Sequence, residues 1–68
     1  MTIGQAMKKA RLDKGYSQAR LSTKSGISSQ NISLWESNKA FPTIINLIPI
    51  AEALGVTLDE LVGRTVAQ

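Results

Sequence analysis

The chain contains no cysteine and no histidine. The first absence excludes a disulfide framework and any thiolate-ligated metal site. The second removes the commonest general base and the commonest metal ligand. Acidic residues are also few: Asp13, Glu36, Glu52, Asp59 and Glu60. No spacing among them suggests a carboxylate pair for acid–base work, so no enzyme activity, no metal and no cofactor is expected. No apolar run approaches the roughly 18 residues that span a bilayer. The N-terminal MTIGQAMKKARLDKG places its charges after a short apolar stretch, the reverse of a secretory leader. A cytoplasmic protein without membrane contact is therefore expected.

What remains is short and basic. The 68 residues make one domain, 1–68, with a formal net charge of +3. A chain this size buries only about 60% of its unfolded surface, which favours an all-helical packing with few loops. The charge is unevenly spread: of the eight Lys and Arg, only Arg64 lies beyond residue 39. The basic half suits a polyanionic partner, although a lysine run is often no more than a solvated face.

Caps and apolar periodicity punctuate five helices. Thr2 with Gln5 forms a capping box for the first, whose apolar stripe is Ile3, Ala6, Met7 and Ala10, and Gly15 ends it. Ser17 caps the second helix and Gly26 closes it; Ser28 caps the third, on which Ile32 and Trp35 recur three apart. Asn38 can take the left-handed conformation that stops this third helix. Thr43 opens the fourth, with Leu47, Ile48, Ala51 and Leu54 expected on its buried face. Pro49 should kink it, because proline removes a backbone bond and crowds the carbonyl of Ile45. Thr57 and Glu60 form a second capping box for a short fifth helix, and a frayed tail is expected over 63–68.

The pair from about 17 to 36, SQARLSTKSGISSQNISLWE, has the organisation of a helix-turn-helix. Its second helix can lie in the major groove of DNA. Ser29, Gln30, Ser33 and Leu34 would form its outer face, short polar groups and one methyl-bearing residue suited to base edges. The spacing of Trp35 from Ile32 marks it as core rather than as a base-stacking platform.

The run YSQARLSTKSGISSQNISLWESNKAFPT, followed by LIPIAEALGVTLDEL, resembles the Cro/cI-type or XRE family of phage repressors and small bacterial regulators. The resemblance covers roughly Ile3 to Val62. Ser22, Ser25, Asn38 and Pro49 depart from the usual pattern, and the two serines would loosen the second helix. The family implies a compact, all-α, five-helix lambda-repressor-like DNA-binding domain. It further implies a sequence-specific transcriptional regulator, prokaryotic or phage-encoded and associated with the nucleoid. By resemblance, Ser29, Gln30, Asn31, Ser33 and Leu34 would read bases, Gln30 pairing with adenine. Ser17, Gln18, Ser28, Asn38, Lys39 and Arg11 would contact phosphates, with Arg11 also matching a position that pairs with Glu36. The partner implied is double-stranded DNA, a pseudo-palindromic operator bound by a homodimer that pairs chiefly on DNA. Phe41, Val56 and Thr57 are the expected dimer interface, with packing of Phe41 on Trp35 the equal alternative. A Cro-like repressor, a restriction–modification controller, an antitoxin and the N-terminal domain of a longer repressor all fit. The rival class is a protein-interaction module of the same fold, which should carry apolar anchors where this chain has serines, Gln30 and Asn31.

Overall fold

The computed structural model describes residues 2–62; the expected fraying of 63–68 lies outside the described residues. Five helices follow one another: α1 (Ile3–Lys14), α2 (Gln18–Ser25), α3 (Ser29–Glu36), α4 (Ile44–Leu54) and α5 (Leu58–Leu61). Every one opens on a hydroxyl residue, Thr2, Ser17, Ser28, Thr43 or Thr57, whose oxygen accepts a first-turn amide. Each cap satisfies a donor that the helix itself cannot, an effect of about 1 kcal/mol apiece. The boxes at Thr2–Gln5 and Thr57–Glu60 are reciprocal, with both side chains bonded to the opposite backbone.

The stops are equally local. Gly15, Gly26 and Gly55 end α1, α2 and α4 with positive φ. Asn38 does the same after α3 at φ 65°, the left-handed conformation expected of it. The Lys39 amide then donates to the Leu34 carbonyl at 2.9 Å, folding the loop back on α3.

Met7, Leu21, Ile32, Ile50 and Leu61 are the fully buried large side chains, and each comes from a different helix. Trp35, Ala6, Leu47, Ala51 and Leu54 complete the core, so Trp35 packs inside as its spacing implied. On α1 the inward face also takes Gly4 and Arg11, while Ile3 and Ala10 are only half-buried. The expected buried face of α4 needs one correction. Ile50, not Ile48, is the buried residue, giving the stripe Leu47, Ile50, Ala51 and Leu54, while Ile48 faces outward. Both isoleucines satisfy hydropathy; only the rotation of the packed helix distinguishes them. α4 is helical throughout Ile44–Leu54, with Pro49 inside it. The carbonyl that loses its donor belongs to Ile45, on the exposed side. Water can replace that bond there, the usual accommodation of a proline within a helix.

The two serines of α2 were expected to loosen it. Ser25 does the opposite, since its hydroxyl donates to the Leu21 carbonyl at 2.7 Å and accepts from the Ile27 amide at 3.2 Å. The turn between α2 and α3 is thereby stitched through a side chain.

Candidate nucleic-acid interface

α2 and α3 pack against each other around Leu21 and Ile32, with α3 also against α1 and α2 also against α4. This arrangement turns the rest of α3 outward. Ser29, Gln30, Asn31 and Ser33 are exposed and Leu34 is half-buried. The Ser28 oxygen accepts the Asn31 amide at 3.1 Å, and the Ser17 oxygen accepts the Arg20 amide at 3.0 Å. In each case the hydroxyl proton is left free to donate to an anion, so capping and phosphate contact are compatible.

Gln18 is half-buried at the start of α2, and its Nε2 donates to Glu36 Oε1 at 3.0 Å. That uses one of two amide protons. The other, with the backbone N–H of a first-turn residue, can still meet a phosphate. Asn38 and Lys39 are exposed in the loop after α3, on the same chain reversal that closes the helix. The groups expected to face bases and phosphates thus come from one helix, its N-cap, the preceding helix start and the following loop.

Arg11 is the exception. It is buried, its Nε donates to Glu36 Oε2 at 2.8 Å, its Nη2 to Glu36 Oε1 at 3.0 Å, and its Nη1 to the Tyr16 carbonyl at 2.7 Å. Three of its five N–H groups are engaged in this fork, which gives Arg11 a scaffold role in the free domain. One carboxylate therefore ties α1, the start of α2 and the end of α3 together. A buried pair of this kind adds little net stability over an apolar substitute, but losing one member strands a charge.

Gly4 was not singled out from the sequence. A Cβ there would lie 2.1 Å from the Trp35 carbonyl oxygen and 2.9 Å from Asn38 Oδ1. Only glycine lets α1 come this close to the end of α3 and the loop carrying Asn38 and Lys39. A glycine inside an otherwise helical stripe was the available signal. The second unread feature is Arg20, whose guanidinium carbon sits 5.8 Å from the Tyr16 ring centroid, within cation–π range.

The expected dimer residues separate. Phe41 is 73% exposed and so does not pack away on Trp35. Val56 is half-buried and packed against the core. Thr57 is exposed, but its hydroxyl is engaged in the α5 cap. Among the described residues no group of acidic side chains could hold a metal ion, and no helix is long and apolar enough to cross a membrane.

Comparison with known proteins gives the same outline. The helix-turn-helix family model matches residues 7–61. The SPbeta prophage-derived uncharacterized HTH-type transcriptional regulator YonR of Bacillus subtilis is 40% identical over 66 residues, 97% of this chain and 61% of the relative. The cryptic phage CTXphi transcriptional repressor RstR of Vibrio cholerae is 36% identical over 94% of this chain and 57% of its own length. The chain therefore spans about three-fifths of these two relatives. Among solved structures, the restriction-modification controller protein C.AhdI from Aeromonas hydrophila superposes with a TM-score of 0.83 at 29% identity, covering 87% of this chain and 89% of that one.

Proposed function

The chain belongs to the XRE, or Cro/cI-type, helix-turn-helix family, and on that premise we propose that it regulates transcription by binding double-stranded DNA sequence-specifically. The observation that carries this reading is the outer face of α3. Ser29, Gln30, Asn31 and Ser33 stand exposed there, with no large apolar residue among the exposed ones. A protein-docking face would present apolar anchors, whereas short hydroxyls and amides match the donor and acceptor pattern of the major groove. Gln30 pairs with adenine, its carbonyl accepting from the N6 amino group and its NH2 donating to N7, and Leu34 meets a thymine methyl. Ser17, Gln18, Ser28, Asn38 and Lys39 hold the backbone and set the register, the division of labour usual at protein–DNA interfaces.

One recognition helix covers too few base pairs for useful specificity. A two-fold homodimer on a pseudo-palindromic operator follows, with recognition helices about 34 Å apart. The compartment consistent with this role is the cytoplasm. The likeness to a repressor and to a controller protein favours a repressor or controller over an activator.

Selection of bound duplexes from a random-sequence pool tests the proposal. An enriched inverted repeat with half-sites one helical turn apart is expected. A pool that shows no enrichment after several rounds, at a salt where the protein is folded, rejects sequence-specific binding.

A further inference from the structure

Arg20 lies in the first turn of α2, the third residue after the Ser17 cap. The corresponding residue is Gln5 in α1 and Glu60 in α5, and each of those closes a reciprocal cap. Arginine cannot do so, because it has no acceptor, and its charge opposes the dipole at a helix N-terminus. Lys24, one turn along the exposed side of α2, adds a like charge at the unfavourable i, i+4 spacing. Among the described residues no carboxylate pairs with either cation. α2 contains no acidic residue, Asp13 is paired with Lys9, and Glu36 is paired with Arg11. The helix by itself gains nothing from Arg20.

The fold nevertheless orients this side chain. Its guanidinium carbon sits 5.8 Å from the Tyr16 ring centroid, so the aromatic face carries it. That ring is itself fixed. Tyr16 is half-buried against the core, its amide donates to the Arg11 carbonyl at 3.0 Å, and its carbonyl accepts from Arg11 Nη1 at 2.7 Å. A guanidinium resting on a ring keeps its N–H groups free at the edge. The result is an exposed, preorganised fork of donors one turn from Ser17 and Gln18.

We propose that Arg20, carried by Tyr16, is a further phosphate-positioning residue of the DNA complex. The inference rests on the DNA-binding reading above and adds a contact to it. Gln18 turns toward α3, where it bonds Glu36. Two residues further on, Arg20 lies about 200° around the helix from Gln18 and so is turned away from α3. The phosphate it grips therefore belongs to the outer margin of the half-site, beyond the groove that α3 enters. A planar fork matches two phosphate oxygens at once, and such a contact fixes register without reading sequence. DNA is favoured over an acidic protein as the occupant because the fork adjoins Ser17 and Gln18, which face the same backbone.

Arg20→Gln, Arg20→Lys, Tyr16→Phe and Tyr16→Leu are prepared in the full chain, with circular dichroism melts confirming the fold. Affinities for a selected operator duplex and an unrelated duplex are measured between about 50 and 200 mM salt. Arg20→Gln should weaken both duplexes alike, about fivefold near 0.15 M salt, and lower the salt slope by about one. Arg20→Lys should keep the slope and lose part of the affinity, because lysine offers no fork. Tyr16→Phe should match wild type, whereas Tyr16→Leu should keep the slope and lose about two- to fivefold. Operator duplexes that each carry one neutral methylphosphonate linkage then locate the contact. One linkage outside the base pairs read by α3 should weaken the wild-type chain and leave Arg20→Gln unaffected. Unaltered affinity and slope in Arg20→Gln overturn the proposal and leave the cation to solvent or to an acidic protein. A loss confined to the operator duplex overturns it too, since Arg20 would then read bases. So does a methylphosphonate series in which every linkage acts equally on the two chains. Tyr16→Leu binding as tightly as wild type overturns the support assigned to the ring. If the wild-type chain binds no duplex, the DNA reading itself fails and the Arg20 assignment falls with it.

Discussion

The recognition helix α3 and the helix α4 pack on the same core, yet they turn opposite chemistry outward. α3 exposes Ser29, Gln30, Asn31 and Ser33, whereas α4 exposes Ile44, Ile45 and Ile48 beside Phe41. Short polar side chains are well hydrated in the free protein and exchange water for base edges at modest cost. Exposed isoleucines are poorly hydrated and gain whenever they are covered. The first surface is suited to specific hydrogen bonding, whereas the second offers apolar area alone. The contrast extends to charge, since the recognition half is basic and residues 40–51 are neutral.

The sharpest test of that contrast is salt. If a dimer neutralises roughly 6–10 phosphates, DNA affinity should fall about 10³–10⁵-fold between 50 and 200 mM salt. The thermal midpoint of the free domain, which rests on an apolar core, should change far less over the same range. A DNA affinity that stays flat over that range would remove the electrostatic half of the contrast.

The next effect is on the scaffold that holds the polar surface. Glu36→Ala strands the buried Arg11 guanidinium and should destabilise the fold by about 3–5 kcal/mol, read from the denaturant midpoint. The exposed pair Lys9–Asp13, at 3.0 Å on the surface of α1, is the internal control. Its disruption by Asp13→Ala should cost below about 1 kcal/mol. Equal costs for the two would mean that the Arg11–Glu36 joint is no more than a surface ion pair.

Gly4→Ala separates propensity from packing. Alanine in a helix gains about 1 kcal/mol over glycine. Its Cβ would fall 2.1 Å from the Trp35 carbonyl oxygen, and overpacking of that order costs about 1–3 kcal/mol. The collision should win, lowering both stability and DNA affinity. A stabilised Gly4→Ala domain would show that α1 and α3 can part without consequence.

The smallest effects distinguish reading from positioning within the polar surface. Gln30→Ala should cost about 1–3 kcal/mol at the preferred site and relax discrimination at one base pair. Lys39→Ala should weaken all duplexes alike and lower the salt slope by about one. Identical profiles for the two would mean that the recognition face has been misplaced.

Composition, caps and spacing determined a good deal by themselves. All five helix starts, the stops at Gly15, Gly26, Gly55 and Asn38, and the inward position of Trp35 were legible in the chain. Each depends on a residue's own φ, hydroxyl or periodicity within one or two turns. The family likewise followed from motifs lying in register along one stretch. Only the tertiary structure decided which of several equivalent candidates goes where. Ile48 and Ile50 are equally hydrophobic, and packing buried the second while exposing the first. That Arg11 pairs with Glu36 and the Tyr16 carbonyl through all three of its nitrogens depends on partners brought in from other segments. Gly4 gained its meaning from a carbonyl that lies 31 residues along the chain, at Trp35. Local propensities are set by neighbours in sequence, whereas the rotation of a helix and the partner of a charge are set by neighbours in space.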